Sequence, residues 1–152
     1  MDQMAVDSHA KAAHAQKMGW SQKEITPMKA IFIGKDGTET EVLADRDDGV
    51  RPQTNLAGLG KLKAAFKKGG CTTAGNSSQV TDGAAAILLT RRSVAEAKGL
   101  KIIGKLSSYA VAGVPPTLMG IGPAVAIPEA LKKSGITMDK VDVFEINEAF
   151  AS

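Results

Sequence analysis

Two short stretches of this 152-residue sequence carry side chains suited to chemistry on a polar ligand. Ala74-Gly75-Asn76-Ser77-Ser78 combines small residues, past which a ligand can approach the backbone, with the donors and acceptors of Ser and Asn. On its residues alone it reads either as a Ser/Asn turn or as a binding loop. The other stretch is VDVFEINEAFAS, residues 141–152. Val141, Val143, Phe144 and Ile146 make a short β-favouring run, and Asn147 follows where a helix cap belongs, with Glu148 in the first turn. A carboxamide at the carboxyl end of a strand in an α/β sheet can cap the helix. It can also orient a water or polarise a carbonyl oxygen, as oxyanion-hole donors do.

Other reactive side chains form no such pattern. His9 and His14 are five residues apart, off a common helical face, and no further ligand motif accompanies them, so no metal site is expected. Cys71 is the only cysteine, which excludes an intramolecular disulfide. Gly120-x-Gly122 lacks both the third glycine of a dinucleotide fingerprint and a Gly-Lys-Ser/Thr ending.

Several elements are expected to position these residues. A helix over 2–18 starts at Asp2 as cap and stops at Gly19, with Met4, Ala5, Ala12, Ala13 and Ala15 as its apolar contacts. Strands at 28–33 and 39–44 flank Asp36-Gly37, a hairpin signal. A charged loop follows over 44–54. Leu56, Leu59, Leu62 and Phe66 recur at helical spacing, with Lys61, Lys63, Lys67 and Lys68 on a solvated face. From residue 83 the pattern is strand (83–90), helix (91–100), strand (101–113), Gly/Pro-rich loop, helix from about Pro123, strand (141–146) and a helix start. Pro128 is expected to distort its helix. Strand–helix alternation indicates an α/β layered fold.

Composition sets outer bounds. With 43% hydrophobic and 23% charged residues the chain is globular in character, and only 4% aromatics imply a core of close backbone packing. A net charge of +3, spread along the chain, does not indicate a nucleic-acid partner. The longest apolar run, Ala84–Leu89, is far below the roughly 20 residues of a membrane span. Asp2 and Asp7 interrupt the first residues, so no signal peptide is expected there.

Taken together, NEAFA (147–151), TAGNSS (73–78), TDGAAAILL (81–89), AGVPPTLMGIGPAVAIP (112–128) and DGVRPQTNLAGLGKLKAAFKKGG (48–70) resemble the thiolases in order and spacing, across essentially the whole chain. The likeness is greatest to the peroxisomal type of 3-ketoacyl-CoA thiolase. It implies a thiolase-like layered α/β fold, with residues 1–82 in the CoA-binding loop-domain region, 83–100 ending the N-terminal half and 101–152 opening the C-terminal half. It implies an acyltransferase of fatty-acid β-oxidation that cleaves 3-ketoacyl-CoA with CoA into acetyl-CoA and a shortened acyl-CoA. A cysteine nucleophile, a histidine and a second cysteine do that work.

Those three groups have no counterparts in this sequence, and Cys71 falls in the loop-domain region, away from either catalytic position. The chain is therefore expected to be an inactive internal piece of such an enzyme, of marginal stability alone. The alternative is a non-catalytic CoA-binding or dimer-decoy protein. By resemblance, Asn147 holds the oxyanion-hole water and Ser78 and Ala74 lie along the pantetheine arm. Arg51 and Phe66 lie near the adenine and phosphate end of CoA. Ala149 and Phe150 wall the pocket by the thioester, and Met119 lines the acyl side. The resemblance further implies CoA as substrate with no permanently bound cofactor, a homodimer or tetramer, and a peroxisomal location, with mitochondrion or cytosol as alternatives.

Overall fold

The computed structural model describes residues 1–151. The chain divides into two compact units, one formed by Met1–Thr81 with the residues from Glu148 onward, the other by Asp82–Asn147.

The first unit opens with helix α1 (Asp2–Lys17), followed by Gly19 at φ +70°. Asp2 does not cap this helix. Met1 occupies the cap position without a side-chain bond, and Asp2 Oδ1 instead accepts from Asn76 Nδ2 at 2.8 Å. The half-buried stripe is Asp2, Ala5, Val6, His9, Ala12, Ala13 and Gln16, a helical face, while Met4 and His14 look outward. Two polar residues of that stripe hold the charged loop. His9 Nδ1 accepts from the Arg51 N–H at 3.1 Å, and Gln16 Nε2 donates to the Asp47 carbonyl at 2.9 Å.

Strands β1 (Met28–Ile33) and β2 (Glu39–Ala44) pair antiparallel, Met28 opposite Ala44 and Ile33 opposite Glu39. The Gly37 N–H donates to the Gly34 carbonyl at 2.9 Å, and Gly37 takes φ +81°. Among the described residues only glycines have positive φ, so this is not the two-residue mirror-image turn; Gly37 alone supplies the left-handed step. Asp36 Oδ1 accepts from the Thr38 N–H at 3.1 Å, and that bond holds its carboxyl below the ordinary aspartate value. A lowered folded-state pKa means that the contribution is complete above the unfolded value and fades as pH falls through the folded one. We expect the Thr38 amide resonance to move and its protection against exchange to fall as the pH drops below the ordinary aspartate value. In Asp36→Ala that amide is expected to show no such titration.

Helix α2 is short, Leu56–Leu59, with Asn55 Oδ1 accepting from the Gly58 N–H at 2.9 Å. The helix expected to reach Phe66 ends here. Gly58 and Gly60 weaken helix continuation, and Ala65 donates to the Thr72 carbonyl at 2.8 Å while Ala64 bridges Thr73 antiparallel. Leu59 is the buried side chain of this element.

The second unit contains α3 (Arg92–Ala97), closed by Gly99 at φ +63°, and α4 (Gly122–Ser134), closed by Gly135 at φ +70°. Pro123 sits in the first turn of α4, and the helix runs on through Pro128 without a break. A 3₁₀ stretch, Pro116–Ile121, precedes α4 and is kinked at Leu118. Ser108 Oγ donates to the Ala130 carbonyl at 2.7 Å, and the Lys133 ammonium lies 5.7 Å from the Tyr109 ring centre. The strands expected at 83–90, 101–113 and 141–146 are not formed; among the described residues only β1 and β2 pair as strands of a sheet. A strand's backbone groups need a neighbouring strand, and these segments have none among the described residues. Among the described residues the expected helix does not follow Asn147, and Ala149 and Ala151 bond to the 76–78 loop.

Candidate functional site

The first unit gathers most of the expected site residues around one buried asparagine. Thr73 opens a single 3₁₀ turn, Ala74–Asn76: its hydroxyl accepts from the Gly75 N–H at 3.2 Å, and its own N–H donates to Asn76 Oδ1 at 2.9 Å. This is a reciprocal capping box with asparagine in place of glutamate. Asn76 Nδ2 donates to the Cys71 carbonyl at 2.9 Å as well as to Asp2. The turn packs over Leu59 and Leu62, so closely that a Cβ on Gly75 would lie 2.5 Å from a methyl of each. Any side chain at 75 forces Leu59 and Leu62 to shift.

Beyond the turn the chain pairs with the 149–151 segment. Ser77 bridges Phe150 antiparallel, the Ser78 N–H donates to the Ala149 carbonyl at 2.7 Å, and the Ala151 N–H donates to the Asn76 carbonyl at 3.0 Å. The Phe150 ring meets Phe66 edge to face, 6.3 Å between centres, with Phe66 79% exposed. Ala74, Ser78, Ala149, Phe150 and Phe66 thus sit on one hydrogen-bonded element. Ser78 is exposed and its hydroxyl makes only a 3.2 Å contact to the Gln79 carbonyl, leaving it available to a ligand. Arg51 lies exposed in the loop held by His9 and Gln16. Gly49 of that loop lies against the Gln79 side chain, which a Cβ there would overlap.

In the second unit Met119 is 62% exposed on the kinked 3₁₀ stretch, and Asn147 is exposed outside any helix or strand. Asn147 caps no helix there, so its carboxamide is not committed to capping. Cys71 is exposed. Two residues escaped the sequence reading, Asn76 as the hub and Asp2 as its partner. The Thr-x-x-Asn spacing of TAGNSS was the signal for the first; nothing local marks the second.

This architecture has close counterparts among known proteins. Residues 1–93 match the thiolase N-terminal domain, and residues 100–152 match the thiolase C-terminal domain. The chain belongs to the thiolase family. It is 60% identical over 151 residues to human 3-ketoacyl-CoA thiolase, peroxisomal, covering 99% of this chain and 36% of that protein. It is 57% identical over 152 residues to 3-ketoacyl-CoA thiolase 2, peroxisomal, of Arabidopsis thaliana, covering 99% and 33%. Among solved structures it is similar to Bacillus anthracis acetyl-CoA acetyltransferase, with TM-score 0.87, 38% identity and coverage of 99% of this chain and 37% of that one. Human mitochondrial 3-ketoacyl-CoA thiolase gives TM-score 0.82 at 35% identity, covering 99% and 36%. The chain thus spans about a third of the length of the relatives it matches. These neighbours define the same α/β class expected from the strand–helix pattern.

Proposed function

We propose that this chain serves the thiolytic cleavage of 3-ketoacyl-CoA in fatty-acid β-oxidation, supplying the CoA-holding element and the oxyanion donor of that reaction. The observation that carries the reading is the pairing of Ser78 with Ala149 and of Ser77 with Phe150, which sets the segment assigned to the pantetheine arm beside the one assigned to the thioester wall. Arg51 offers a guanidinium for the phosphates of CoA, while Phe66, its ring centre 6.3 Å from that of Phe150 at the thioester wall, lies along the pantetheine arm and not at the adenine. Met119 lines the acyl side.

The chemistry assigns Asn147 its part. A cysteine thiolate attacks the 3-keto carbonyl, the C2–C3 bond breaks, and its electron pair moves onto the thioester oxygen of the departing acetyl-CoA. A water held by the Asn147 carboxamide donates to that oxygen where charge develops. Proton return to C2 completes acetyl-CoA, and free CoA takes the acyl group from the cysteine. With Cys71 as the one cysteine, the 152 residues by themselves do not supply both thiols of this cycle. CoA enters as substrate, and the scheme needs no resident cofactor. A peroxisomal location accompanies the reading, supported by the names of the relatives above, and the family resemblance adds a homodimer or tetramer.

Calorimetric titration of CoA into the 152-residue chain tests it. Saturable binding is expected, weakened in Ser78→Val, with dephospho-CoA binding less tightly than CoA. Absence of saturable heat up to millimolar CoA would count against the CoA-holding role.

A further inference from the structure

We propose that Asn76, braced by Asp2, is the positioning residue that sets Ser77 and Ser78 against Phe150 and Ala149 and so fixes the geometry of the CoA-holding element. The proposal rests on the reading of that element given above. Asn76 is 3% exposed, the least exposed polar residue in the buried set. Its side chain is bonded at both ends: two donors to Asp2 Oδ1 and the Cys71 carbonyl, and Oδ1 to the Thr73 N–H. Its backbone carbonyl takes the Ala151 N–H. One residue therefore joins the start of α1, the 71–73 strand-like piece, the 3₁₀ turn and the 149–151 segment.

Only a planar group with two donors and an acceptor at this reach satisfies all three side-chain partners. Aspartate has the shape but puts an acceptor oxygen where Nδ2 donates to both Asp2 and the Cys71 carbonyl. Leucine leaves all three partners unpaired, and glutamine adds a methylene where none fits. Asp2 lies 74 residues away in sequence, so the first turn of α1 acts as a buttress for the loop. Neither side chain touches the exposed Ser78 hydroxyl, so the effect on CoA runs through the backbone.

A charge-swap cycle tests this in full-length human 3-ketoacyl-CoA thiolase, peroxisomal, with its aligned 151 residues replaced by these, using that chimera as wild type, Asn76→Asp, Asp2→Asn and the double variant. Amide exchange of Ser78 and Ala151 reads the pairing directly, and β1–β2 amides report independently on folding. Asn76→Asp is expected to lower protection at Ser78 and Ala151 by about 10-fold or more and to weaken CoA binding in proportion. Asp2→Asn alone is expected to change little, because its amide oxygen still accepts. In the double variant the carboxamide introduced at position 2 donates to the carboxylate introduced at position 76. Both protection and CoA affinity are then expected to recover in part, a non-additivity that independent sites do not show.

Should Asn76→Asp unfold the unit outright, the double variant still decides: recovery supports the pairing, and no recovery overturns it. Unchanged CoA affinity in Asn76→Asp, with protection lost, would overturn the positioning role. If wild type binds no CoA while the exchange pattern holds, the functional reading fails and the Asp2–Asn76 brace stands.

Discussion

Denaturant unfolding of the 152-residue chain is expected to be shallow and to start from a stability close to zero. The accessible surface is 13211 Å² for a 15.8 kDa chain. A folded protein of that mass exposes about 7,300 Å² and its unfolded chain about 23,000 Å², so only about 40% of the unfolded surface is buried here instead of about 70%. The denaturant slope follows the area exposed on unfolding, and it should come out near ~0.6 of the ordinary value for this length. Among the described residues the buried apolar ones are Leu59 and Ala95, far too few to offset the conformational entropy of 152 residues. Meanwhile Leu88 is 83% and Ile103 95% exposed, on segments without a pairing partner among the described residues. Exposed apolar segments of that kind recruit other chains, so concentration-dependent association should accompany the shallow transition. A sharp calorimetric transition from a monodisperse monomer would contradict this account.

The second large effect concerns Asn147. Replacing the aligned 151 residues of human 3-ketoacyl-CoA thiolase, peroxisomal, with those of this chain makes a testable full-length enzyme at 60% identity over the exchanged part. In that chimera Asn147→Ala is expected to lower kcat about 10²- to 10³-fold with little change in KM, as loss of one oxyanion donor does elsewhere. The split follows from the chemistry. Charge on the thioester oxygen grows only as the C2–C3 bond breaks, so the water held by Asn147 matters more in the transition state than in the bound substrate. A thermal melt of the Asn147→Ala chimera beside the unmutated one separates any stability cost from the kinetic effect. A comparable fall in kcat/KM arising wholly from KM would assign Asn147 to binding instead.

Features written in local chemistry were legible in the sequence. The hairpin strands coincide with the expected 28–33 and 39–44, because Asp36-Gly37 and the β-favouring runs act over a few residues. Gly19, Gly99 and Gly135 end helices by adopting positive φ, which a sequence announces directly. Leu56, Leu59, Leu62 and Phe66 misled because their spacing is helical, while the pairing of Ala64 and Ala65 with Thr72 and Thr73 decides the conformation. The runs at 83–90, 101–113 and 141–146 show that β-propensity marks a segment suited to a sheet without making one. The candidate site divides the same way. Motif resemblance placed Ser78, Ala149 and Phe150, and the structure brings them together. The Asp2–Asn76 contact, made across 74 residues, left no mark that local reasoning reads.

The central claim is that these residues are competent thiolase parts, and turnover by the unmutated chimera tests it most directly. With acetoacetyl-CoA and CoA as substrates, the account predicts acetyl-CoA formation at a rate within about 10-fold of the parent human enzyme, the scale of one lost transition-state contact worth about 1.4 kcal/mol. A chimera that folds and assembles as the parent does, yet forms no acetyl-CoA, would contradict it.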